Sequence, residues 1–196
     1  NIYWVGVLDP EMRIFDIVFK TDQGTTYNSY LIKDKKTALI DTVKKPFTAE
    51  FISNLKSQVD LKDIDYIIVN HTEPDHSGAL SELLKYAGNA KVMVSKSGGH
   101  LLKNIINVPV DLTIIEDNTV VDLGGCELRF ISAPYLHWPD TIWTYLEKEK
   151  ILFTCDAFGS HFCDERMFDD LVGDFDKHFH YYYDSIMRPF KPHILK

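Results

Sequence analysis

Six consecutive residues, His71-Thr72-Glu73-Pro74-Asp75-His76, contain four side chains that can bind a metal ion. Two are imidazoles and two are carboxylates, which are the usual protein ligands of zinc and of non-haem iron. These residue types are also common in solvated loops, but a surface loop without a ligand rarely gathers so many of them so closely. The segment therefore predicts a metal site.

The flanking residues predict that this segment is a loop at the carboxyl end of a strand. The apolar run Tyr66-Ile67-Ile68-Val69 precedes it, and Ser77-Gly78-Ala79-Leu80 follows it. A short β-branched run that ends at a polar segment containing proline is typical of a buried strand that turns into a helix. Ligands on such a loop can converge on one point from alternate positions.

Two further candidate ligands lie at the ends of predicted strands. His137 belongs to the turn-rich loop 134–140, which leaves a strand ending at Ser132. Asp156 directly follows the apolar strand 151–155 and precedes Ala157-Phe158-Gly159, where a carboxylate is well placed to bridge two ions. Alone, each residue is as readily explained as a turn cap. Together with the first motif, both become candidate metal ligands.

The order of these motifs resembles the metallo-β-lactamase-like domain of flavodiiron proteins, the A-type flavoproteins that include oxygen reductases (rubredoxin:oxygen oxidoreductases) and nitric oxide reductases of anaerobes. The resemblance rests on three motifs and extends through segments 24–31 and 39–42 over essentially the whole chain. The motifs are H-x-E-x-D-H at 71–76, His137-Trp138-Pro139-Asp140, and Cys155-Asp156-Ala157-Phe158-Gly159.

The resemblance implies ligands for two iron ions. It assigns His71, Glu73 and His137 to one iron, Asp75 and His76 to the other, and Asp156 as the bridge between them. Family members complete the second iron with one more histidine nearer the C-terminus, in a Ser-His-Gly-like segment that is absent here. His193 is expected to precede that missing segment and to be solvated, so the identity of the last ligand stays open.

The resemblance also implies an activity, namely reduction of O₂ to water or of NO to N₂O. Family members receive electrons through FMN, bound by a flavodoxin-like domain that follows this one, from a donor such as rubredoxin or a flavin reductase. In a head-to-tail homodimer, the FMN of one subunit lies near the irons of the other. Gly24-Thr25-Thr26 leads into strand-like residues instead of a helix, so it is not a flavodoxin phosphate loop. We therefore expect residues 1–196 to be the diiron domain alone, without an FMN domain.

Two other functions are open at this level. The first is a metal-dependent hydrolase of the same superfamily, in which a metal-bound hydroxide attacks an ester, thioester or phosphodiester. Those hydrolases have histidine where this chain has Glu73. A carboxylate there replaces a nitrogen ligand by a hard, negatively charged oxygen ligand, which favours iron over zinc. The second is a noncatalytic assembly module, for which the missing C-terminal histidine is the only indication.

Weaker candidates surround the predicted site. Tyr27 lies in a loop whose counterpart in the family approaches the substrate pocket, although an aromatic residue in a strand more often belongs to a core. His161 follows Asp156 closely enough to line the pocket, or else lies at the surface. Asp41 ends a strand and is expected to orient the ligand loop by hydrogen bonding. His178 and His180, two residues apart in a helix, are predicted to be solvated.

The remaining pattern predicts the fold. Short strands at 3–7, 14–19, 27–33 and 37–41 are expected to form an antiparallel meander, followed by a helix over 46–59 that Thr48 caps and by the strand 64–70. A helix from Leu80 to about Gly88, the strand 91–95 and a helix capped by Ser97 come next. Strands return at 112–115, 119–123, 127–132, 141–146 and 151–155, and a helix over 175–187 ends at Pro189. Two strand runs, each followed by helices, predict an α/β protein with a four-layer α/β/β/α sandwich.

Composition sets the broad class of the protein. The chain has 196 residues, 45% of them hydrophobic, and a formal net charge of −8, which argues against nucleic acid or an anionic membrane as a partner. Three cysteines without a C-x-x-C pair predict neither a disulfide framework nor a zinc knuckle and favour a reducing cytoplasm. The chain starts without Met and stops at Lys196 within predicted helical sequence, so we expect it to be part of a longer protein.

Overall fold

Short strands and helices alternate along the chain, and the computed structural model describes residues 1–166, 168–173 and 175–196. The strands are Ile2–Trp4 (β1), Val7–Asp9 (β2), Ile14–Phe15 (β3), Phe19–Lys20 (β4), Thr25–Tyr27 (β5), Tyr30–Lys33 (β6), Thr37–Ile40 (β7), Tyr66–Val69 (β8), Lys91–Ser95 (β9), Leu112–Ile115 (β10), Val120–Asp122 (β11), Glu127–Ser132 (β12), Ile142–Leu146 (β13) and Ile151–Phe153 (β14). The α-helices are Thr48–Gln58 (α1), Pro74–Ser77 (α2), Leu80–Leu83 (α3), Lys96–Ile105 (α4), Asp176–Tyr182 (α5) and Lys191–Ile194 (α6), and a π-helical turn at Tyr183–Met187 follows α5.

The larger sheet has the strand order β1-β6-β7-β8-β9-β10. Its first three strands are antiparallel, and β7 to β10 are parallel. Parallel neighbours need crossover connections, and helices α1 to α4 lie in the three connections between these strands. The carboxyl ends of the parallel strands meet at one edge, so Asp41 after β7 and His71 after β8 are neighbours there.

The second sheet is antiparallel, with the order β11-β12-β13-β14. The loop that contains His137 joins β12 to β13, and Asp156 follows β14. The backbone N–H of Ile142, at the start of β13, donates to the carbonyl of Asn70 at a distance of 2.9 Å. This bond joins the second sheet to the ligand loop of the first.

Apolar side chains fill the spaces between successive layers. One cluster joins α1, through Phe51 and Leu55, to one face of the six-stranded sheet, and a second joins the other face to the four-stranded sheet. A third cluster packs the C-terminal helical segment, through Tyr182 and Ile186, against Trp143 of the second sheet. The layers therefore follow the predicted order of helix, sheet, sheet and helix.

The predicted meander at the N-terminus is wrong in two places. The expected strand 14–19 is a hairpin, in which β3 pairs with β4 and Asp16 and Ile17 take positive φ angles of 47° and 72° at the turn. The expected strand 27–33 is divided, because β5 pairs with β2 while β6 joins the large sheet. A run of apolar residues does not show where its pairing partner changes.

Helix ends also differ from the sequence predictions. Ser95, not Ser97, caps α4, with its Oγ accepting from the N–H of Gly98. Thr48 is the first residue of α1 and donates to the carbonyl of Lys45 instead of capping the helix. Pro189 lies in a 3₁₀ turn that continues into α6, so it does not end the helical segment. Among the described residues, no helix is long and apolar enough to cross a membrane.

Candidate metal centre

The structure brings all six predicted ligand residues together at the edge shared by the two sheets. They form two adjoining groups, and within each group the potential ligand atoms lie within 4.8 Å of one another. Asp156 belongs to both groups. The first group is His71, Glu73, His137 and Asp156, and the second is Asp75, His76 and Asp156.

In the first group, two imidazoles face the same two carboxylates. The Nε2 atoms of His71 and His137 each lie 3.1 Å from Oε2 of Glu73. The same two nitrogens lie 3.3 and 3.4 Å from Oδ2 of Asp156. All four ligand atoms therefore point towards one small volume.

In the second group, His76 stands between two aspartates. Its Nε2 lies 3.0 Å from Oδ1 of Asp156 and 3.6 Å from Oδ2 of Asp75. Asp156 thus presents one oxygen to each group, which is the arrangement expected of a bridging carboxylate.

Local backbone structure explains how neighbouring residues serve different groups. Helix α2 starts at Pro74, so Glu73 lies on the loop before the helix and His76 lies within its single turn. Ser77 Oγ donates to the carbonyl of Thr72 at 2.7 Å, and both the N–H and the hydroxyl of Thr42 donate to the carbonyl of His76 at 2.7 Å. These bonds fix the loop, and with it the directions of the ligand side chains.

A buried carboxylate contacts the outer nitrogen of each buried imidazole. Asp41 Oδ2 lies 3.3 Å from Nδ1 of His76, and its Oδ1 accepts from the N–H of Asn70 at 2.7 Å. Asp140 Oδ2 lies 3.2 Å from Nδ1 of His71. In both cases the inner nitrogen, Nε2, is left facing the ligand group.

The imidazoles are held in their protonated form by the surrounding carboxylates. Burial by itself lowers the pKa of His71, but hydrogen bonds with Asp140 and Glu73 raise it to about 10. Burial likewise lowers the pKa of His137, and the neighbouring carboxylates of Asp156 and Glu73 raise it to about 9. Burial lowers the pKa of His76, yet the charges of Asp75 and Asp156 hold it well above its usual range.

The pKa values of the carboxyl groups shift in different directions. Burial raises the pKa of Glu73, but hydrogen bonds with His137 and His71 lower it to about 2. Burial also raises the pKa of Asp156, and the charge of His76 outweighs it, so that this pKa lies well below its usual range. Burial dominates at Asp75 and raises its pKa to about 6.

These residues fit a pair of metal ions. Oδ1 of Asp75 and Oδ2 of Asp156 are buried and make no hydrogen bond to the described residues. Buried carboxylates without partners are costly, and here only imidazolium protons balance their charge. Divalent cations would replace those protons and use the free oxygens. Nitrogen and oxygen donors in this ratio suit iron and zinc.

A cavity of about 230 Å³ opens beside the second group. Asp75, His76, Asp156, His161 and Tyr182 are among the residues that line it. Polar ligand atoms and aromatic rings therefore border a space large enough for a small molecule and several waters.

Tyr27 and His161, the two pocket candidates, both line this cavity. Tyr27 is 2% exposed, and its hydroxyl donates to Oδ2 of Asp9 at 3.1 Å. His161 Nδ1 forms a hydrogen bond of 3.0 Å with the hydroxyl of Thr25, while its Nε2 is buried without a partner among the described residues. Burial lowers the pKa of His161 to about 4, so the ring is neutral near pH 7.

The other histidines lie outside both groups. His193 is half-buried and its ring lies 4.6 Å from that of Tyr135, tilted by 41°. The ring of half-buried His178 lies 5.1 Å from that of Phe162. Both residues were predicted to be solvated and are only partly exposed. His180 is exposed, as predicted.

Sequence reasoning assigned no role to four residues of the site. Asp140 was visible in the motif at 137–140 and Asn70 at the end of β8, but neither had a signal beyond a turn position. Asp16 lies in an apolar run, where a lone aspartate marks the hairpin turn; partial burial and the neighbouring Glu73 raise the pKa of its carboxyl. Tyr182 lies in a helix, where nothing in the sequence distinguishes it from a packing residue.

Two packed sheets with outer helices, and paired histidine–carboxylate groups at the sheet edge, define a metallo-β-lactamase-like domain. The profile of a family described as "ODP family beta lactamase" matches residues 25–193. The flavo-diiron protein FprA2 of Clostridium acetobutylicum is 50% identical over 201 residues, covering 100% of this chain and 50% of that protein. The anaerobic nitric oxide reductase flavorubredoxin of Salmonella arizonae is 42% identical over 195 residues, covering 97% of this chain and 41% of that protein.

Solved structures agree with the sequence relatives. The rubredoxin oxygen:oxidoreductase from the anaerobe Desulfovibrio gigas superposes with a TM-score of 0.96 at 30% identity, covering 99% of this chain and 49% of that one. The chain belongs to the ODP β-lactamase family, and its sequence and fold are similar to those of flavodiiron proteins. It spans about half the length of the curated relatives it matches.

Proposed function

We propose that this domain is the non-haem diiron domain of an oxidoreductase that reduces O₂ to water or NO to N₂O. The observation that carries the proposal is the position of Asp156, whose two oxygens face two different ligand groups. A carboxylate shared in this way would serve as a ligand of two metal ions, which could then act on one small substrate. Relatives named as an oxygen oxidoreductase and a nitric oxide reductase support the reaction class.

The ligand set supports iron as the metal. His71, Glu73 and His137 would hold one iron, Asp75 and His76 the other, and Asp156 both. Three of these six side chains are carboxylates, and hard oxygen donors stabilise ferric iron as well as ferrous iron. A pair of ferrous ions would supply two electrons, which is enough to reduce two NO molecules to N₂O and is half of the four electrons that reduction of O₂ to water requires.

The chain's own residues would prepare the site for this reaction. Asp41 and Asp140 keep Nε2 of His76 and His71 directed inwards through the Nδ1 contacts described above. Tyr27 and His161 border the cavity, and Nε2 of the neutral His161 ring is available to bond a substrate or water there. Burial of the ligand side chains limits access of bulk water to the reacting atoms.

The electrons would come from outside this domain. We propose FMN as the immediate electron donor, bound by a flavodoxin-like domain of the full-length protein. In a head-to-tail homodimer, the FMN of one subunit would pass electrons to the metal centre of the other. A donor such as rubredoxin or a flavin reductase would reduce the FMN, and the name of the Desulfovibrio gigas relative supports rubredoxin. A cytoplasmic location fits the three cysteines, none of which forms a disulfide.

Metal content and turnover together test the proposal. The chain is expressed with iron and its metals are quantified. The protein is then reduced anaerobically with an artificial reductant, and the consumption of added O₂ or NO is measured. We expect about two iron ions per chain and reductant-dependent consumption of at least one gas. A zinc-filled protein that hydrolyses ester, thioester or phosphodiester substrates would overturn the proposal in favour of a hydrolase.

The same preparation tests a noncatalytic assembly role. His137→Ala and Glu73→Ala both remove ligands of the first group, so each should lower the iron content and abolish turnover. Unchanged metal content in both variants would contradict the assignment of the first group and favour a noncatalytic module.

A further inference from the structure

Asp140 makes an unusual set of contacts for a residue at the end of a loop. It is 1% exposed, and a single oxygen, Oδ2, makes three contacts. This oxygen accepts from the N–H and from the hydroxyl of Thr72, both at 2.8 Å, and lies 3.2 Å from Nδ1 of His71. The carboxylate therefore holds both the backbone and the imidazole at the start of the ligand loop.

The carboxylate also sets the tautomer of His71. Oδ2 of Asp140 already accepts two hydrogen bonds from Thr72, as a carboxylate oxygen does, so in its contact with Nδ1 of His71 the ring nitrogen is the donor. Nδ1 of His71 must then carry the proton and donate it to Asp140. When His71 is neutral, its Nε2 is left with a free lone pair towards Glu73 and Asp156.

The second group has a separate support of the same kind. Asp41, which follows β7, contacts Nδ1 of His76 at 3.3 Å, whereas Asp140 comes from the loop between β12 and β13. The two carboxylates belong to different sheets and contact different imidazoles. Each ligand group therefore depends on its own carboxylate.

We propose that Asp140 is a positioning residue that sets the affinity of the first metal position alone, through the orientation and tautomer of His71. This inference rests on the proposed metal centre. Carboxylates behind metal-binding imidazoles typically change metal affinity by 10–100-fold when they are removed. The distinctive expectation is selectivity, since Asp41 should have the same effect on the second position only.

Two substitutions separate the geometry of Asp140 from its charge. Asp140→Asn can keep an oxygen at the position of Oδ2 and so preserve the three contacts, but it loses the negative charge. Asp140→Ala also leaves the donors of Thr72 and His71 without an acceptor. We expect Asp140→Ala to weaken the first position about 10–100-fold, and Asp140→Asn to recover part of that loss.

In the experiment, the metal-free chain is titrated anaerobically with ferrous iron enriched in the Mössbauer-active isotope, and Mössbauer spectra are recorded at each step. Two positions with different ligands should give two quadrupole doublets. His137→Ala identifies the doublet of the first position, because His137 belongs to the first group only. Asp140→Ala should weaken that same doublet, and the matched control Asp41→Ala should weaken the other.

The outcomes separate this inference from the proposed function. Equal loss of both doublets in Asp140→Ala, or a lower melting temperature with unchanged iron affinity, would overturn the positioning role and leave a structural one. An affinity of Asp140→Asn below that of Asp140→Ala would also contradict it. Absence of iron binding by the unsubstituted chain would instead overturn the metal centre itself.

Discussion

Asp156 places one carboxylate oxygen 3.0 Å from Nε2 of His76 while its other oxygen points towards the neighbouring ligand group. The residue follows the edge strand β14 of the small sheet, whereas His76 lies in helix α2 beside the large sheet. One side chain from the second sheet thus completes two groups that are otherwise built largely on the first. Sheet packing and metal binding are therefore expected to depend on each other.

Replacing Asp156 with alanine should empty both metal positions. The substitution removes a ligand from each group and leaves the imidazolium charges without their shared counterion, so we expect the iron content to fall from about two per chain to well below one. Metal analysis after desalting measures this, with circular dichroism to verify folding. Asp111→Asn, at an exposed site, is the control and should keep its iron. Retention of one full iron by Asp156→Ala would show that the positions are independent.

The metal-free protein should lose stability at alkaline pH. His71 and His137 have folded-state pKa values of about 10 and about 9, against about 6.5 when unfolded. Their contribution to stability is therefore fully present below about pH 6.5 and is lost as the pH rises through 9 to 10. Asp75, with a pKa raised to about 6, also stabilises the folded chain in its neutral form, but that contribution is lost by about pH 6 and does not change over the alkaline interval.

Glu73 should make the metal-free protein less stable at low pH. Its lowered pKa of about 2 means that its contribution is present above about pH 4.5 and is lost as the pH falls through 2. Thermal unfolding of chelator-treated protein at pH 6.5 and pH 9.5 measures the alkaline effect, which should be smaller in His137→Gln. A melting temperature that rises over this interval would contradict the assigned charge states.

Substitution of Glu73 by histidine should shift metal preference towards zinc. The Oε2 atom of Glu73 lies 3.1 Å from both His71 and His137, so a third imidazole there removes a hard anionic donor from the first group. We expect the iron-to-zinc ratio after competition to fall by about tenfold, a size typical of changes around a metal site. Glu73→Gln keeps the shape without the charge and separates the two effects. An unchanged ratio in Glu73→His would remove the main argument for iron.

The six candidate ligands, which the structure brings together, were easier to identify from the sequence than the residues that contact them, for a physical reason. Four candidate ligands are adjacent in the chain at 71–76, and their density is visible without any knowledge of folding. His137 and Asp156 follow predicted strands, and strand ends are where side chains of different loops converge. Asp140 contacts His71 across 69 positions of sequence, and only sheet packing brings the two together.

The fold shows the same division between local and nonlocal information. Period and composition located most strands, because apolar alternation is a property of each segment by itself. The hairpin at Asp16 and the change of partner between β5 and β6 depend on pairing with distant strands, which no single segment encodes. The sequence predicted Ser97 as the cap of α4, but β9 ends at Ser95 and the helix begins at the next residue, so Ser95 is the cap.

Asn70 should be a stability residue that does not bind metal. Its amide nitrogen donates to the carbonyl of Phe153 at 3.1 Å and its Oδ1 accepts from the hydroxyl of Thr144 at 2.7 Å, so a residue of the large sheet bonds two strands of the small one. Asn70 and Thr144 are fully buried, and Asn70→Ala leaves a hydroxyl and a carbonyl without partners, at about 1–3 kcal/mol each. Urea unfolding should show this loss.

Thr144→Val removes one of the same bonds from the other side, so the double variant should be more stable than the sum of the single effects predicts. Strict additivity would mean that the hydrogen bond between Asn70 and Thr144 contributes nothing to holding the two sheets together.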